Sequence, residues 1–262
     1  MKIRISATVW FLCTALVIEI SSVLIDSAEA RDIHIAHCLA GCPESAADSN
    51  PLVVREIFTF SANDETKLAD WVAYKVTPST IGTSSSLNRS WKDDEFLDDP
   101  QVLERDDYKY AHREVGYDRG HLAPLAAFAG TVYWRATNII SNIAPQKSDM
   151  NQGAWRYLET AVRDAAYELG GVYVITGPLY EEPMPELPNA DEVHEVPSAY
   201  WKVISTPNGR LSAFVMDQDI PRDADYCAYT VSLSEIEERT DLDLFPREPG
   251  WPKNSLDAQL GC

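Results

Sequence analysis

The sequence predicts an α+β domain built on an antiparallel or mixed sheet. Three observations carry this: several short apolar or alternating runs, a hairpin signal joining two of them, and only two helix signals, placed between and after the strands. Leu52 to Phe60 and Trp71 to Val76 read as strands, the second alternating Trp71, Ala73 and Lys75 with Val72, Tyr74 and Val76, and Asn63-Asp64 marks the turn between them. A Ser- and Asp-rich polar loop follows to about Asp107. Ser148 or Asp149 can cap a helix running to about Leu169, with Trp155, Leu158, Val162 and Ala165 or Ala166 as its apolar stripe and Gly170-Gly171 as its stop. Val172 to Thr176, Tyr200 to Ile204 and Leu211 to Met216 are further strands, the last two joined through Pro207-Asn208-Gly209. Between Pro178 and Pro197 a Pro-rich stretch reads as a long surface loop. Ser232-Leu233-Ser234-Glu235 is a capping-box pattern that opens a shorter helix through about Thr240.

The ends of the chain bound its location. Lys2 and Arg4, an apolar run from Ala7 to Ile18 and the small-residue site Ala28-Glu29-Ala30 read as a secretory signal over residues 1–30, leaving a 232-residue domain over 31–262. A retained anchor is the weaker reading, because Glu19 and Asp26 interrupt a run already too short to span a bilayer. The mature product is expected to be exported, extracellular or periplasmic, with no membrane attachment. Cys13 leaves with the signal, and Cys38, Cys42, Cys227 and Cys262 remain as an even set suited to an oxidising compartment. Three pairings can be drawn; the short Cys38 to Cys42 spacing favours a local loop, leaving Cys227 and Cys262 to tether the C-terminus. A zinc site from His34, His37, Cys38 and Cys42 ranks below the disulfide.

The formal charge is −19, and losing two cations and three anions with the signal leaves −18. Diffuse counterion release therefore cannot be the main source of any affinity for nucleic acid. Local cations and a metal at one phosphate would still suffice for an enzyme.

The chemistry concentrates in Asp118-Arg119-Gly120-His121 and in the block from Asn142 to Glu159. Hydrolysis of a phosphodiester needs an activated water, charge neutralised on the phosphoryl oxygens, and help for the departing oxygen. His121 can take the proton from water, since imidazole ordinarily titrates at about 6.5. Arg119, two residues away in an extended segment, shares its face and can grip a phosphate with two parallel hydrogen bonds. Asn151 offers a neutral amide oxygen suited to Mg²⁺, which keeps several of its waters. Glu159 lies eight residues on; along a continuous helix that is about 12 Å of rise and about 80° of rotation, so it would meet the metal's water shell rather than the metal. Taken singly, each has a plainer role: a packed histidine, an Arg paired with Asp118, a helix cap, an i,i+4 partner of Arg163.

Together with Cys38-Leu39-Ala40-Gly41-Cys42-Pro43, Trp71-Val72-Ala73-Tyr74, Thr176-Gly177-Pro178-Leu179-Tyr180 and Pro197-Ser198-Ala199-Tyr200-Trp201-Lys202-Val203, these motifs run through nearly the whole mature chain. The chain resembles the secreted sugar-non-specific DNA/RNA endonucleases of Serratia type, in the ββα-metal (His-Me finger) superfamily. The resemblance implies a central, mostly antiparallel sheet flanked by helices, and Mg²⁺ as cofactor with Mn²⁺ as a substitute. It implies His121 as general base, Asn151 as the direct metal ligand, Glu159 as partner of the metal's waters and Arg119 as a phosphate ligand. Arg89, in Asn88-Arg89-Ser90-Trp91-Lys92, would stabilise the transition state; Asn142 would position the centre, and Arg163 would stand near the leaving group. It implies DNA and RNA substrates, single- or double-stranded, with 5′-phosphate products. It also implies the same local and C-terminal cysteine pairing, and it admits a homodimer. The pronounced acidity departs from it and bears on long substrates and the salt optimum.

Two other functions fit the same residues. A phosphodiesterase or pyrophosphatase for small esters would keep the site and change the substrate. A binding or toxin-like protein without turnover is disfavoured by the intact set His121, Arg119, Asn151 and Glu159 and by the net negative charge.

Overall fold

Nine strands and two helices place the residues of interest. The computed structural model describes residues 34–45, 50–97, 101–248 and 250–262; the signal expected over residues 1–30 lies outside them. The strands are β1 (Leu52–Val54), β2 (Phe58–Ala62), β3 (Ala69–Val76), β4 (Tyr117–His121), β5 (Ile143–Lys147), β6 (Val172–Leu179), β7 (Ala199–Ser205), β8 (Arg210–Asp217) and β9 (Thr230–Val231). The main sheet runs β9-β8-β7-β6-β3-β2-β1, antiparallel throughout, and Asn254–Ser255 adds a short parallel edge to β8.

Both faces of this sheet are covered, so its strands are nearly continuous in apolar residues. Val72, Tyr74, Val174, Tyr200, Ile204 and Phe214 pack on one face, in the same cluster as Leu158, Val162, Ala165 and Ala166 of the helix α1 (Arg156–Leu169). The alternate residues Trp71, Ala73, Ile175, Trp201, Val203 and Val215 pack on the other, with Leu233 and Ile236 of the helix α2 (Leu233–Thr240). Each large side chain buried this way stabilises the fold by about 1.5–3 kcal/mol.

Local signals explain the helix ends. Ser232 Oγ accepts from the Glu235 N–H at 3.1 Å, and Gly170 ends α1 at φ 78°. Ser148 does not cap the first helix. Its hydroxyl is bonded instead to Asp118 (2.9 Å) and to the Gly116 carbonyl (3.1 Å). Nor is that helix continuous from Ser148: Ser148–Met150 leads into a wider turn, Asn151–Trp155, which breaks at Gly153 (φ −104°, ψ −118°) before α1 begins. A Cβ on Gly153 would lie 2.2 Å from the Arg222 carbonyl oxygen, so a bare backbone is required where that segment crosses.

The run Leu52 to Phe60 is a hairpin rather than one strand. Arg55 turns it, its N–H donating to the Phe58 carbonyl (2.9 Å) while its buried guanidinium pairs with Asp94 at 2.5 Å. Outside the main sheet, β4 and β5 form their own antiparallel pair and precede the helical segment. Three contacts dock this pair: Tyr108 Oη donates to the Ile143 carbonyl (3.0 Å), while Tyr200 Oη (2.9 Å) and Gln218 Nε2 (2.8 Å) both donate to the Pro145 carbonyl.

Cys38 is joined to Cys42 and Cys227 to Cys262. The zinc set does not assemble, since both cysteines near it are bonded to each other and His37 Nδ1 lies 2.8 Å from Thr59 Oγ1. Among the described residues no helix is long and apolar enough to cross a membrane.

Candidate active site

The site is assembled by β4, β5 and the helical segment after them, a ββα unit. In β4 the side chains alternate, which puts Arg119 and His121 on one side and Asp118 on the other. Gly120 lies between them because a Cβ there would be 2.1 Å from Gln146 Oε1 in β5. The Arg119 guanidinium stands over the Trp91 ring (5.7 Å) and the Tyr108 ring (5.4 Å) and donates to the Arg105 carbonyl (3.0 Å). It makes no pair with Asp118; among the described residues the Asp118 ion pair is with His112.

His121 is held by a residue that sequence reasoning passed over. Its Nε2 lies 3.0 Å from Asn138 Oδ1, and its ring is 5.4 Å from the Trp91 ring. With the amide oxygen as acceptor, Nε2 carries the proton and Nδ1 keeps its lone pair. Desolvation of the half-buried ring, only partly opposed by the Asn138 bond and assisted by the nearby Arg89 charge, pushes the imidazole down to about 4. The ring is therefore neutral at pH 7.

Asn142 lies too deep to touch a substrate, with no exposed surface. Its Oδ1 accepts from the Ala123 N–H (2.8 Å), and its Nδ2 donates to the carbonyls of Ala123 (3.0 Å) and Thr137 (2.8 Å). It clamps the chain leaving His121 to the turn bearing Asn138. Arg89 and Trp91 are brought to the same place by backbone bonds: the Lys92 N–H donates to the Asn138 carbonyl (3.1 Å) and the Ile140 N–H to the Lys92 carbonyl (2.8 Å).

Asp118 stands at the head of the motif that the sequence marks, but the sequence gives it no role of its own. Its carboxylate accepts from Asn151 Nδ2 (2.9 Å), Gln152 Nε2 (2.7 Å), Ser148 Oγ (2.9 Å) and His112 Nδ1 (2.9 Å). Desolvation is the largest influence and pushes its acidity down, but these four bonds outweigh it and hold the carboxyl below its usual range. The amide of Asn151 is thereby tied through its nitrogen, and among the described residues its Oδ1 has no hydrogen-bond partner.

Arg89, Trp91, Asp118, Arg119, Asn151 and Gln152 line one open cleft of about 320 Å³. Glu159 follows one helical turn after Trp155. Burial raises its pKa, opposed by the charges of Lys202, Arg163 and Arg89. Arg89 thus lies within electrostatic reach of both His121 and Glu159. The i,i+4 ion pair of Glu159 with Arg163 does not form among the described residues; Arg163 donates to Thr160 Oγ1 at 2.8 Å. A separate cluster, Asp107, Asp191 and Glu192, brings three carboxylates within 4.8 Å of one another, and none of them lines the cleft.

This arrangement can bind an anion through Arg89 and Arg119, hold a hard cation through an amide oxygen and accept a proton at a neutral imidazole. A family model described as DNA/RNA non-specific endonuclease matches residues 40–250. The chain is 43% identical over 234 residues to a nuclease of Serratia marcescens, covering 87% of this chain and 86% of that one. It is 28% identical over 242 residues to a nuclease of a Nostoc species, covering 86% and 85%. A chain in the crystal structure of the EndoG/EndoGI complex superposes with a TM-score of 0.62 at 26% identity, over 75% of this chain and 86% of that one.

Proposed function

The chain belongs to the DNA/RNA non-specific endonucleases, and from that premise we propose a Mg²⁺-dependent hydrolysis that cuts single- and double-stranded DNA and RNA to 5′-phosphate ends, with Mn²⁺ as an accepted substitute. Asn151 would hold the ion: its free Oδ1 is a hard, neutral donor, and the Asp118 bond fixes the amide so that this oxygen stays outward. Glu159 would meet the ion's water shell. Bound there, Mg²⁺ supplies charge neutralisation on the phosphoryl oxygens and the departing oxygen.

The chain's own groups do the rest. His121 Nδ1 takes the proton of the attacking water, and Asn138 at Nε2 keeps the ring in the tautomer that leaves Nδ1 bare. Arg119 grips the phosphate, and Arg89 adds charge where the phosphoryl group gains it. Arg163, on the helix beside Glu159, stands by the departing oxygen. Contacts to phosphates carry no base identity, and none of these groups requires a 2′-hydroxyl, which supports action on both nucleic acids.

One observation carries this reading. An imidazole nitrogen and an amide oxygen, both without a partner among the described residues, stand on one ββα unit, beside a cleft that two arginines line. His121→Ala is expected to lower turnover by at least about a hundredfold with folding retained, as for loss of a general base. EDTA should abolish cleavage of plasmid and RNA by the unaltered protein, with Mg²⁺ or Mn²⁺ restoring it. Undiminished cleavage by the variant refutes the assignment. We further assign residues 31–262 to one exported domain, extracellular or periplasmic; the two disulfides support an oxidising compartment. A homodimer is retained in the proposal.

A further inference from the structure

Lys202, inside the motif Pro197 to Val203, has no part in the chemistry above, yet it is a fully buried cation beneath the site. Register places it opposite Thr176 in β6 and Phe214 in β8, on the sheet face that packs against α1. Its ammonium has modest company. Nζ lies 3.3 Å from Tyr74 Oη and 3.5 Å from Thr176 Oγ1, both long, and stands 4.3 Å from the centroid of the Trp155 ring. No carboxylate lies within ion-pair distance among the described residues. A buried ammonium so sparsely bonded is costly to desolvate, and a methionine of similar length would fill the space without that cost.

The carboxylate that acts on this charge is Glu159. Trp155, whose ring covers the ammonium, and Glu159 are four residues apart at the start of α1 and therefore share one face of it. Each acts on the other: Lys202 is the foremost of the charges that favour ionised Glu159, ahead of Arg163 and Arg89, and Glu159 is what favours charged Lys202 against a burial that pushes it down to about 8. The charged and titratable groups around the carboxyl are then Lys202 from β7, Tyr74 from β3, Arg163 from α1 and the Arg89 segment.

We infer that Lys202 is a positioning residue of the hydrolytic site, a cation supplied from the sheet that favours the ionised form of Glu159 beside the metal's water shell, so that affinity for the metal depends on it more than the fold does. The inference rests on the proposed role of Glu159. It separates Lys202 from the two arginines, which reach Glu159 from the solvent side and are exposed or half-buried. A bound phosphate would engage those arginines, and the counter-charge that stays with Glu159 through turnover is the one in the sheet.

The test uses the full mature protein with Lys202→Met, Glu159→Gln and the double variant. Mg²⁺ affinity is read by calorimetry without substrate, and the ionisation of Glu159 is followed in metal-free protein through its side-chain carboxyl carbon resonance. Lys202→Met should weaken Mg²⁺ binding about tenfold and raise the Glu159 midpoint by about one pH unit, the size of a single lost charge partner. It should leave the KM for DNA unchanged at saturating Mg²⁺. Glu159→Gln should weaken Mg²⁺ similarly, and the double variant no further than either one. A well-folded Lys202→Met with unaltered Mg²⁺ affinity and an unmoved Glu159 midpoint overturns the inference. Should that variant not fold, Glu159→Gln decides: the Lys202 side-chain resonance must titrate lower than in the unaltered protein, and an unchanged midpoint overturns the inference. If Glu159→Gln itself leaves Mg²⁺ binding and cleavage intact, it is the proposed function of Glu159 that fails.

Discussion

Burial holds the His121 imidazole at about 4, well under its ordinary 6.5, and this sets two pH dependences. In the base role proposed for it, the ring is ready wherever it is neutral, so the acid limb of kcat/KM is expected between pH 4 and 5 rather than near 6.5. The stability consequence has the same sign. Above the unfolded value the group contributes nothing; as pH falls from 6.5 toward 4 the unfolded chain binds the proton and the folded one does not, so stability drops across that window. The ring is partly reachable by water, so we expect about 1–3 kcal/mol of loss rather than the full shift. Urea midpoints between pH 7 and 4 should slope less for His121→Asn than for the unaltered protein; parallel slopes would contradict the buried, neutral ring. At this scale spacing and residue type point to His121, Arg119 and Asn151, which the fold brings to one ββα unit, but they do not point to Asn138 or to the partners that Asp118 gathers. Asn138 reaches back 17 residues across two short turns, and Asp118 gathers donors 30 to 34 residues downstream, contacts that follow from folding and leave no local pattern.

The helical segment shows what an element-level pattern can hide. The stripe Leu158, Val162, Ala165 and Ala166 does form the buried face of α1 and its stop at Gly170 is real, so periodicity located the helix and its end. The entry is different because Gly153 breaks the run, and a helical projection from Asn151 to Glu159 therefore does not apply. What fixes the break is the Arg222 carbonyl, 70 residues further along the chain than Gln152, whose Oε1 also receives the Arg222 guanidinium at 2.5 Å. Gly153→Ala forces a methyl to within 2.2 Å of that oxygen, so one backbone must give way. The expected cost is about 1–3 kcal/mol of stability, as for overpacking, together with weaker metal binding, since Asn151, the proposed ligand, sits two residues before the break. Denaturant midpoints and Mg²⁺ calorimetry check both, and an unchanged pair of values would mean that the break is not required. The pair β4–β5 was hidden for another reason: Gly120 and Pro145 are poor strand residues, and β5 is buried at four successive positions without alternation. The hairpin over Leu52 to Ala62 reads as one strand in the sequence because its turn residue, Arg55, is buried and paired, not exposed and small.

Over the whole molecule, the antiparallel sheet and the cysteine pairing were legible because strand runs and Cys spacing are properties of the chain itself, while the docking of the site against the sheet was not. Charge is the remaining whole-molecule property, and it makes a definite claim about salt. The formal charge is −19, and the cations facing the cleft are Arg89 and Arg119. Two phosphate contacts on duplex DNA give a salt exponent of about −1.8, hence about a tenfold weakening between 50 and 200 mM monovalent salt. The net negative field acts in the opposite sense: shortening the screening length from about 14 Å to about 7 Å relieves its repulsion of the polyanion over the same range. The two effects partly cancel, so KM for long duplex DNA should rise less than about tenfold over that range at fixed Mg²⁺. A protein using six to ten phosphate contacts would lose about a thousandfold or more. Steady-state KM measured across that series distinguishes the cases, and a thousandfold rise would require a broad cationic face in contact with DNA, contrary to binding confined to the cleft.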